Sequence, residues 1–422
     1  MPGVDAAWLR MDDPANLMMV TGLFFFARPV PPRGIRDLVA ARLLRYRRFG
    51  ERAVPGRLGG ARWERVEAVD LDRHVLGERL PEPGDKAALE RRVSELMSEP
   101  LDPLHPLWQF HVVQNCVGGT AVVVRIHHCV ADGIALMQVA LSLTESGDGQ
   151  GALVPHAAPA LGGPLRRIGI GLLCVGTLLR MTLRPADPRT PQTGPPGIAK
   201  GVAWTPAIPF EDVRAVKDAL DATVNDVLLT AVAGALRRHL VERGVRPAAL
   251  DLRAAVPVNL RPERHMDKLG NCFGLIFVAL PVGIADPLER LRVLKARLDA
   301  LKRSTEPLTS LAVLRVMGHL PRVVQGLLVR LFGSKITAVM TNVPGPRTHL
   351  TMAGERVDGI LFWVPQSGRA GLGVSLFSYA GTVRVGVAAD RGLVPDPGGL
   401  VRAFEAELDA LRAAAGVPSR ES

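Results

Sequence analysis

Residues 127–133 read His127-His128-Cys129-Val130-Ala131-Asp132-Gly133. Three residues separate the second histidine from an Asp-Gly pair. Imidazole is the side chain best able to take up and return a proton near neutral pH. The pattern therefore points to an enzyme that removes a proton from an acceptor group. A serine hydrolase is disfavoured, because no G-x-S-x-G occurs. A zinc site would draw on His127, His128 and Cys129, but no partner cluster with ligand spacing completes it.

The flanking elements give the heptapeptide its geometry. Residues 121–126 are apolar apart from Arg125, so the pattern over 120–127 predicts a central strand buried on both faces. A helix is predicted over 133–143, so a loop of about four residues carries the motif, as catalytic loops do. Alternate residues of a strand point to opposite faces. His127 and His128 must therefore differ in role, and His128 is read as general base with His127 as support. Asp132 has a simpler reading as the N-cap of the following helix.

The 422 residues suffice for two domains, and 47% hydrophobic content supports a substantial core. Residues 1–143 alternate helix and strand patterns. Strands are expected over 17–26, 108–117 and 120–127, the last two turning at Gly118-Gly119, and helices over 33–46 and 86–97. Residues 144–205 are rich in Gly and Pro and read as a linker. Within it, 168–179 is apolar but only 12 residues long, against the roughly 20 needed to cross a bilayer. Residues 206–422 return to mixed patterns, with strands expected over 250–258, 271–280, 335–342, 372–379 and 382–389. Residues 311–332 read as two helices broken near Pro321. Arg315, His319, Arg322 and Arg330 lie among their aliphatic side chains, a composition that suits either a membrane interface or ordinary core-facing helices.

Four scattered cysteines without C-x-x-C spacing argue against a disulfide framework and fit a reducing compartment. The N-terminus lacks the apolar run of a secretory signal. Net charge is +11 and only seven of the 52 basic residues are lysine. With two tyrosines, no recognised motif and no dense basic block, nucleic acid is not the expected partner. An anionic membrane surface or a phosphorylated substrate fits better, the alternative being an arginine-biased, solvated surface.

The heptapeptide resembles the H-H-x-x-x-D-G signature of the CoA-dependent acyltransferase superfamily, which includes chloramphenicol-acetyltransferase-like enzymes and peptide-synthetase condensation domains. Pro106-Leu107-Trp108, Asn225-Asp226-Val227-Leu228-Leu229, Val256-Pro257-Val258-Asn259-Leu260-Arg261 and Thr341-Asn342-Val343-Pro344-Gly345-Pro346 follow in order. Together they resemble the bacterial wax ester synthase/diacylglycerol acyltransferase family over nearly the full chain. Departures are mild: Thr230 closes the Asn-Asp segment, Cys129 stands where a small residue is common, and Met18-Met19 replaces a Met-His pair.

The resemblance implies an α/β layered fold of two chloramphenicol-acetyltransferase-like domains, 1–143 and 206–422, joined by the crossover linker. The histidines would sit midway along a tunnel at the domain interface. It implies an O-acyltransferase joining a long-chain acyl-CoA to a fatty alcohol or diacylglycerol by direct attack, with no metal, no cofactor and no acyl-enzyme. His128 and His127 would be catalytic, and Asn225 would orient or stabilise the oxyanion. Thr223-x-x-Asp226 also reads as a helix capping box. Asp132 would pair with Arg261, Gly133 would allow a tight turn beside the site, and Trp108 would line the acceptor channel or belong to the core. The expected location is cytoplasmic, at the inner face of the membrane or on lipid inclusions. An amide-forming condensation enzyme and a catalytically silent lipid-binding protein are the alternatives.

Overall fold

The computed structural model describes residues 1–56, 60–116, 119–145, 164–262, 269–302, 304–366 and 368–418. Residues 146–163 of the expected linker, and Gly118 of the expected hairpin turn, lie outside the described residues.

The elements that bear on the site begin with helix α1 (Gly3–Met11) and strands β1 (Met19–Phe26), β2 (Val75–Arg79), β3 (Trp108–Cys116) and β4 (Gly119–His127). Helix α2 (Gly133–Ser142) follows the motif loop. Then come α3 (Pro164–Leu183), β5 (Lys200–Trp204), α4 (Val224–Glu242), β6 (Leu252–Asn259), β7 (Phe273–Leu280), α5 (Glu306–Met317) and α6 (Arg322–Gly333). The chain ends with β8 (Ala338–Pro344), β9 (Gly359–Trp363), β10 (Leu372–Tyr379), β11 (Thr382–Asp390) and α7 (Pro397–Ala414).

Two open sheets form the layers. The first has five strands in the order β9-β1-β4-β3-β2. All nine residues of β4 are buried, because β1 and β3 flank it antiparallel and helices cover its faces. The second sheet runs β7-β6-β8-β10-β11-β5, with Ile208–Pro209 adding a short seventh strand against β11. Its strands β6, β8 and β10 run parallel to one another. Val374, Leu376, Val385 and Val387 pack against α4 and α7, and form a core separate from that of the first sheet.

Two features depart from the segment boundaries read in the sequence. Lys200–Trp204, inside the expected linker, is a fully buried edge strand of the second sheet. Only five residues long, it carries too little pattern to stand out from the Gly/Pro-rich stretch before it. Gly359–Trp363, from the C-terminal half, completes the first sheet by pairing antiparallel with β1, Gly22 opposite Phe362. The two halves therefore interlock through a strand, not only through a linker.

The helical break at Pro321 falls where the sequence puts it, between α5 and α6. Among the described residues no single helix is long and apolar enough to cross a membrane. Helices α3 and α6 nevertheless expose Leu172, Leu173, Val175, Leu179, Val323 and Leu327.

Candidate active site

The motif loop leaves β4 at its buried end. His127 still pairs with Met19 in the ladder, and the backbone N–H of His128 donates to the Met18 carbonyl at 2.7 Å. The two side chains then diverge as strand alternation requires. His127 Nδ1 accepts from the Cys129 N–H at 3.1 Å, and its Nε2 lies 3.5 Å from Asp12 Oδ1. Burial resists charging this ring, while Cys129 and the Asp12 carboxylate draw its basicity upward; the bond accepted at Nδ1 fixes the neutral form in this arrangement. A bond accepted at Nδ1 needs a lone pair there, so the proton the ring holds sits on Nε2, toward Asp12.

His128 faces the other half of the chain. Its ring stacks on Trp8 of α1, with centroids 4.2 Å apart and planes 20° apart, and meets Phe273 of β7 at 5.5 Å. The residue is 4% exposed. Nδ1 is buried with no partner in hydrogen-bond geometry, whereas Nε2 is not among such sealed atoms. Burial pushes the ring down to about 4, against the opposing pull of Asp132. The imidazole is therefore neutral at physiological pH, with a lone pair available for a proton.

Asp132 does two jobs. Its Oδ1 accepts from the Ala135 N–H at 2.9 Å and caps α2. Its Oδ2 accepts from Arg261 Nη2 and from the Cys272 N–H, both at 2.8 Å. Asp132 is 3% exposed and Arg261 4%, so this is a buried ion pair that ties the motif loop to the segment between β6 and β7. Arg261 Nη2 also donates to the Gly270 carbonyl at 2.5 Å.

The remaining residues singled out from the sequence fall elsewhere. Asn225, in the first turn of α4, accepts from Asn342 Nδ2 of β8 at 3.0 Å. Asn342 and Arg261 both lie at the C-terminal ends of parallel strands, which is the sheet edge that meets the motif loop. No described contact joins Asn225 to His128. Asp226 completes a reciprocal capping box with Thr223, 2.9 Å and 3.2 Å for the two bonds, and is a structural residue of α4.

Trp108 is a correction. It is 0% exposed, donates from Nε1 to the Phe49 carbonyl at 2.9 Å, and stacks on His74 at 4.1 Å. It belongs to the core beneath the sheet and lines neither cavity described below. Gly133 is another. Its φ is not left-handed, and a Cβ there would meet nothing within 4 Å. It is not needed for a tight turn. It instead leaves open an apolar cavity between β1, β4, β9 and α2.

Val20, Phe24, Val124, Leu136, Met137 and Phe362 line that cavity with Gly133. It stops short of the imidazole, on which Trp8 and Phe273 close, so it is not the through-tunnel expected. A second, small cavity lies between the sheets beside Thr21, Lys200 and Gln366. Among the described residues no three His, Cys, Asp or Glu side chains could hold a metal ion.

Sequence reasoning overlooked Trp8, Asp5, Asn271 and Phe273, all of which touch the motif loop or one another. The signal for the first two was modest: Asp5 and Trp8 are spaced to share one face of a short helix.

Two halves of mixed α/β structure meeting over the motif loop define a fold shared with acyltransferases and condensation domains. Among solved structures, the TRI3 trichothecene 15-O-acetyltransferase of Fusarium sporotrichioides has a TM-score of 0.69 at 12% identity over 97% of this chain and 94% of that one. The first condensation domain of the calcium-dependent antibiotic synthetase gives 0.64 at 16% identity, over 99% and 95%. The wax ester synthase/diacylglycerol acyltransferase of Marinobacter aquaeolei VT8 gives 0.74 at 24% identity, over 99% and 100%.

Residues 1–169 match the model of the wax ester synthase/diacylglycerol acyltransferase catalytic domain, and residues 269–412 that of the WS/DGAT C-terminal domain. A Mycobacterium tuberculosis protein described as a probable diacylglycerol O-acyltransferase, tgs1, is 30% identical over 95% of this chain and 93% of its own. The chain belongs to the wax ester synthase/diacylglycerol acyltransferase family, and it is an acyltransferase.

Proposed function

We propose that the protein transfers a long-chain acyl group from acyl-CoA to the hydroxyl of a fatty alcohol or a diacylglycerol, with His128 as general base. One observation carries this reading: a buried, uncharged imidazole at the junction of the two halves, with Nε2 left unsealed. An alcohol has a high pKa and must lose its proton as it attacks the thioester. Nε2 accepts that proton and then returns it to the departing thiolate. The carbonyl oxygen gains negative charge in the transition state, and the Asn225 amide is the donor proposed for it. His127, fixed by Cys129 and Asp12, supports the loop from its other face. No covalent acyl-enzyme, metal or cofactor enters this scheme.

The apolar cavity behind α2 is the proposed seat of the fatty chain. Its lining is almost wholly aliphatic and aromatic, as an alkyl chain requires. A dry channel would also limit hydrolysis of the thioester. The acceptor, being a lipid, must be collected from a lipid phase. The exposed aliphatic residues of α3 and α6, interspersed with Arg180, Arg322 and Arg330, suit contact with an anionic lipid surface on the cytoplasmic side.

The test is an acceptor panel of fatty alcohols, mono- and diacylglycerols and long-chain amines with palmitoyl-CoA. Free CoA should appear only when an alcohol is present. A preference for amines would move the assignment to amide formation. His128→Ala should fold and lose turnover, and wild-type kcat should fall only below a pH near 4, where the base becomes protonated. Full activity of that variant would reject the mechanism.

A further inference from the structure

One face of the His128 ring is covered by an element that the reaction scheme above does not use. Helix α1 lies between α5–α6 and the motif loop and is fixed at several points. A Cβ at Gly318 would lie 1.7 Å from the Gly3 carbonyl oxygen, so α1 and the end of α5 touch backbone to backbone. Gln325 of α6 donates to the Ala7 carbonyl at 2.8 Å, and Arg10 donates to the Leu320 carbonyl at 2.8 Å.

On its inner face α1 carries Asp5, fully buried. Asp5 Oδ2 lies 2.8 Å from Arg48 Nη1, and Oδ1 accepts from the Asn271 side chain at 2.8 Å and from the Asn271 N–H at 3.1 Å. Asn271 Nδ2 also donates to the His128 carbonyl at 2.8 Å, and Arg48 Nη1 donates to the Val130 carbonyl at 2.7 Å. The carbonyls of motif-loop residues 128 and 130 are thus both held by side chains anchored on Asp5. One turn further along α1, Trp8 lies flat on the His128 ring.

We propose that Trp8 is a positioning residue for His128, and that the Asp5–Arg48–Asn271 cluster sets α1 so that the indole fixes the plane of the imidazole and shuts water from its face. The proposal rests on the assignment of His128 as base. A stacked ring covers a π-face but leaves the in-plane lone pair of Nε2 open, so the indole constrains the base without blocking the proton transfer. Constraining the base matters because small displacements of a catalytic group are costly in rate. The charged and titratable groups around His128 are few. Asp132, His127 and Cys129 come from its own loop, Asp5 and Asp12 from α1 and the turn after it, Arg48 from the turn before residue 50, and Arg261 and Cys272 from either side of the segment before β7. Asp132 and Asp5 are each paired with an arginine, so exclusion of water is what keeps the ring uncharged.

Three variants at position 8 separate the roles, with steady-state kinetics and a side-chain NMR titration of His128 in substrate-free protein. Trp8→Phe keeps a flat face and should stay within about three-fold of wild-type kcat. Trp8→Leu fills much of the space without a plane, and should lose about ten-fold in kcat with KM for acyl-CoA unchanged. Trp8→Ala admits water and should move the His128 midpoint from about 4 toward the ordinary value near 6.5, in both the titration and the acid limb of kcat. A wild-type kcat in Trp8→Leu, or an unmoved midpoint in a folded Trp8→Ala, overturns the proposal. If Trp8→Ala does not fold, the Phe/Leu pair decides. Retained activity in His128→Ala would instead sink the assignment of the base, whatever position 8 does.

Discussion

Arg261→Met removes one partner of the buried pair that joins the motif loop to the C-terminal half. The Asp132 carboxylate stays behind at 3% exposure, keeping its bonds from the Cys272 and Ala135 N–H groups. Deleting one member of a buried ion pair costs about 3–5 kcal/mol. The two surviving N–H donors place this case near the lower end, at about 3 kcal/mol. For a cooperative unit of 150–250 residues that corresponds to a fall in Tm of about 6–12 °C. Thermal unfolding followed by fluorescence measures it directly. The decisive control is the double variant Asp132→Asn, Arg261→Met. Asparagine still caps α2, but the stranded charge is gone, so at least half of the lost stability should return. A single variant within 2 °C of wild type, or a double variant no better than the single, would refute the claim that this pair carries buried, mutually compensated charge.

Four further outcomes are expected. Gly133→Leu projects a side chain into the cavity without a backbone clash. Acyl-CoA chain preference should therefore shorten, read as a lost gain of about four-fold in Kd per methylene for the longest chains. Asp226→Ala should cost about 1 kcal/mol of stability through the capping box and leave kcat close to wild type. Asn225→Ala should do the reverse, reducing kcat by about 100-fold if its amide meets the oxyanion; equal behaviour of the two variants would remove Asn225 from the mechanism. Val323→Asp with Leu327→Asp on α6 should weaken sedimentation with anionic vesicles without altering turnover of a detergent-dispersed acceptor, and unchanged sedimentation would count against the lipid-surface reading.

What the sequence disclosed and what it withheld divide along a physical line. The motif loop, the buried strand before it and the cap after it are local: apolar run, imidazoles and an Asp-Gly follow one another within about 15 residues. The break at Pro321 is local too. The contacts that finish the site are not. Trp8 and His128 are 120 residues apart, and Asp5 and Asn271 266 residues apart, and no periodicity announces such pairings. Trp108 stayed open between channel and core for the converse reason. A tryptophan on an apolar strand looks the same whether it faces a channel or a sheet's underside, and here the Phe49 carbonyl takes its N–H in the core. Gly133 looked like a turn residue because glycine so often is one, whereas its lack of a side chain keeps a cavity free.

The strand Gly359–Trp363 has a consequence for how the molecule is made. It pairs with β1 across more than 330 residues of chain, so during synthesis the first sheet waits with one edge bare until about six-sevenths of the polypeptide has left the ribosome. Unpaired edges invite association with other chains, and pairings this distant form slowly. A nascent chain stalled before residue 359 should therefore be aggregation-prone and chaperone-dependent. For the same reason residues 1–143 expressed alone should not be recovered as a well-behaved domain.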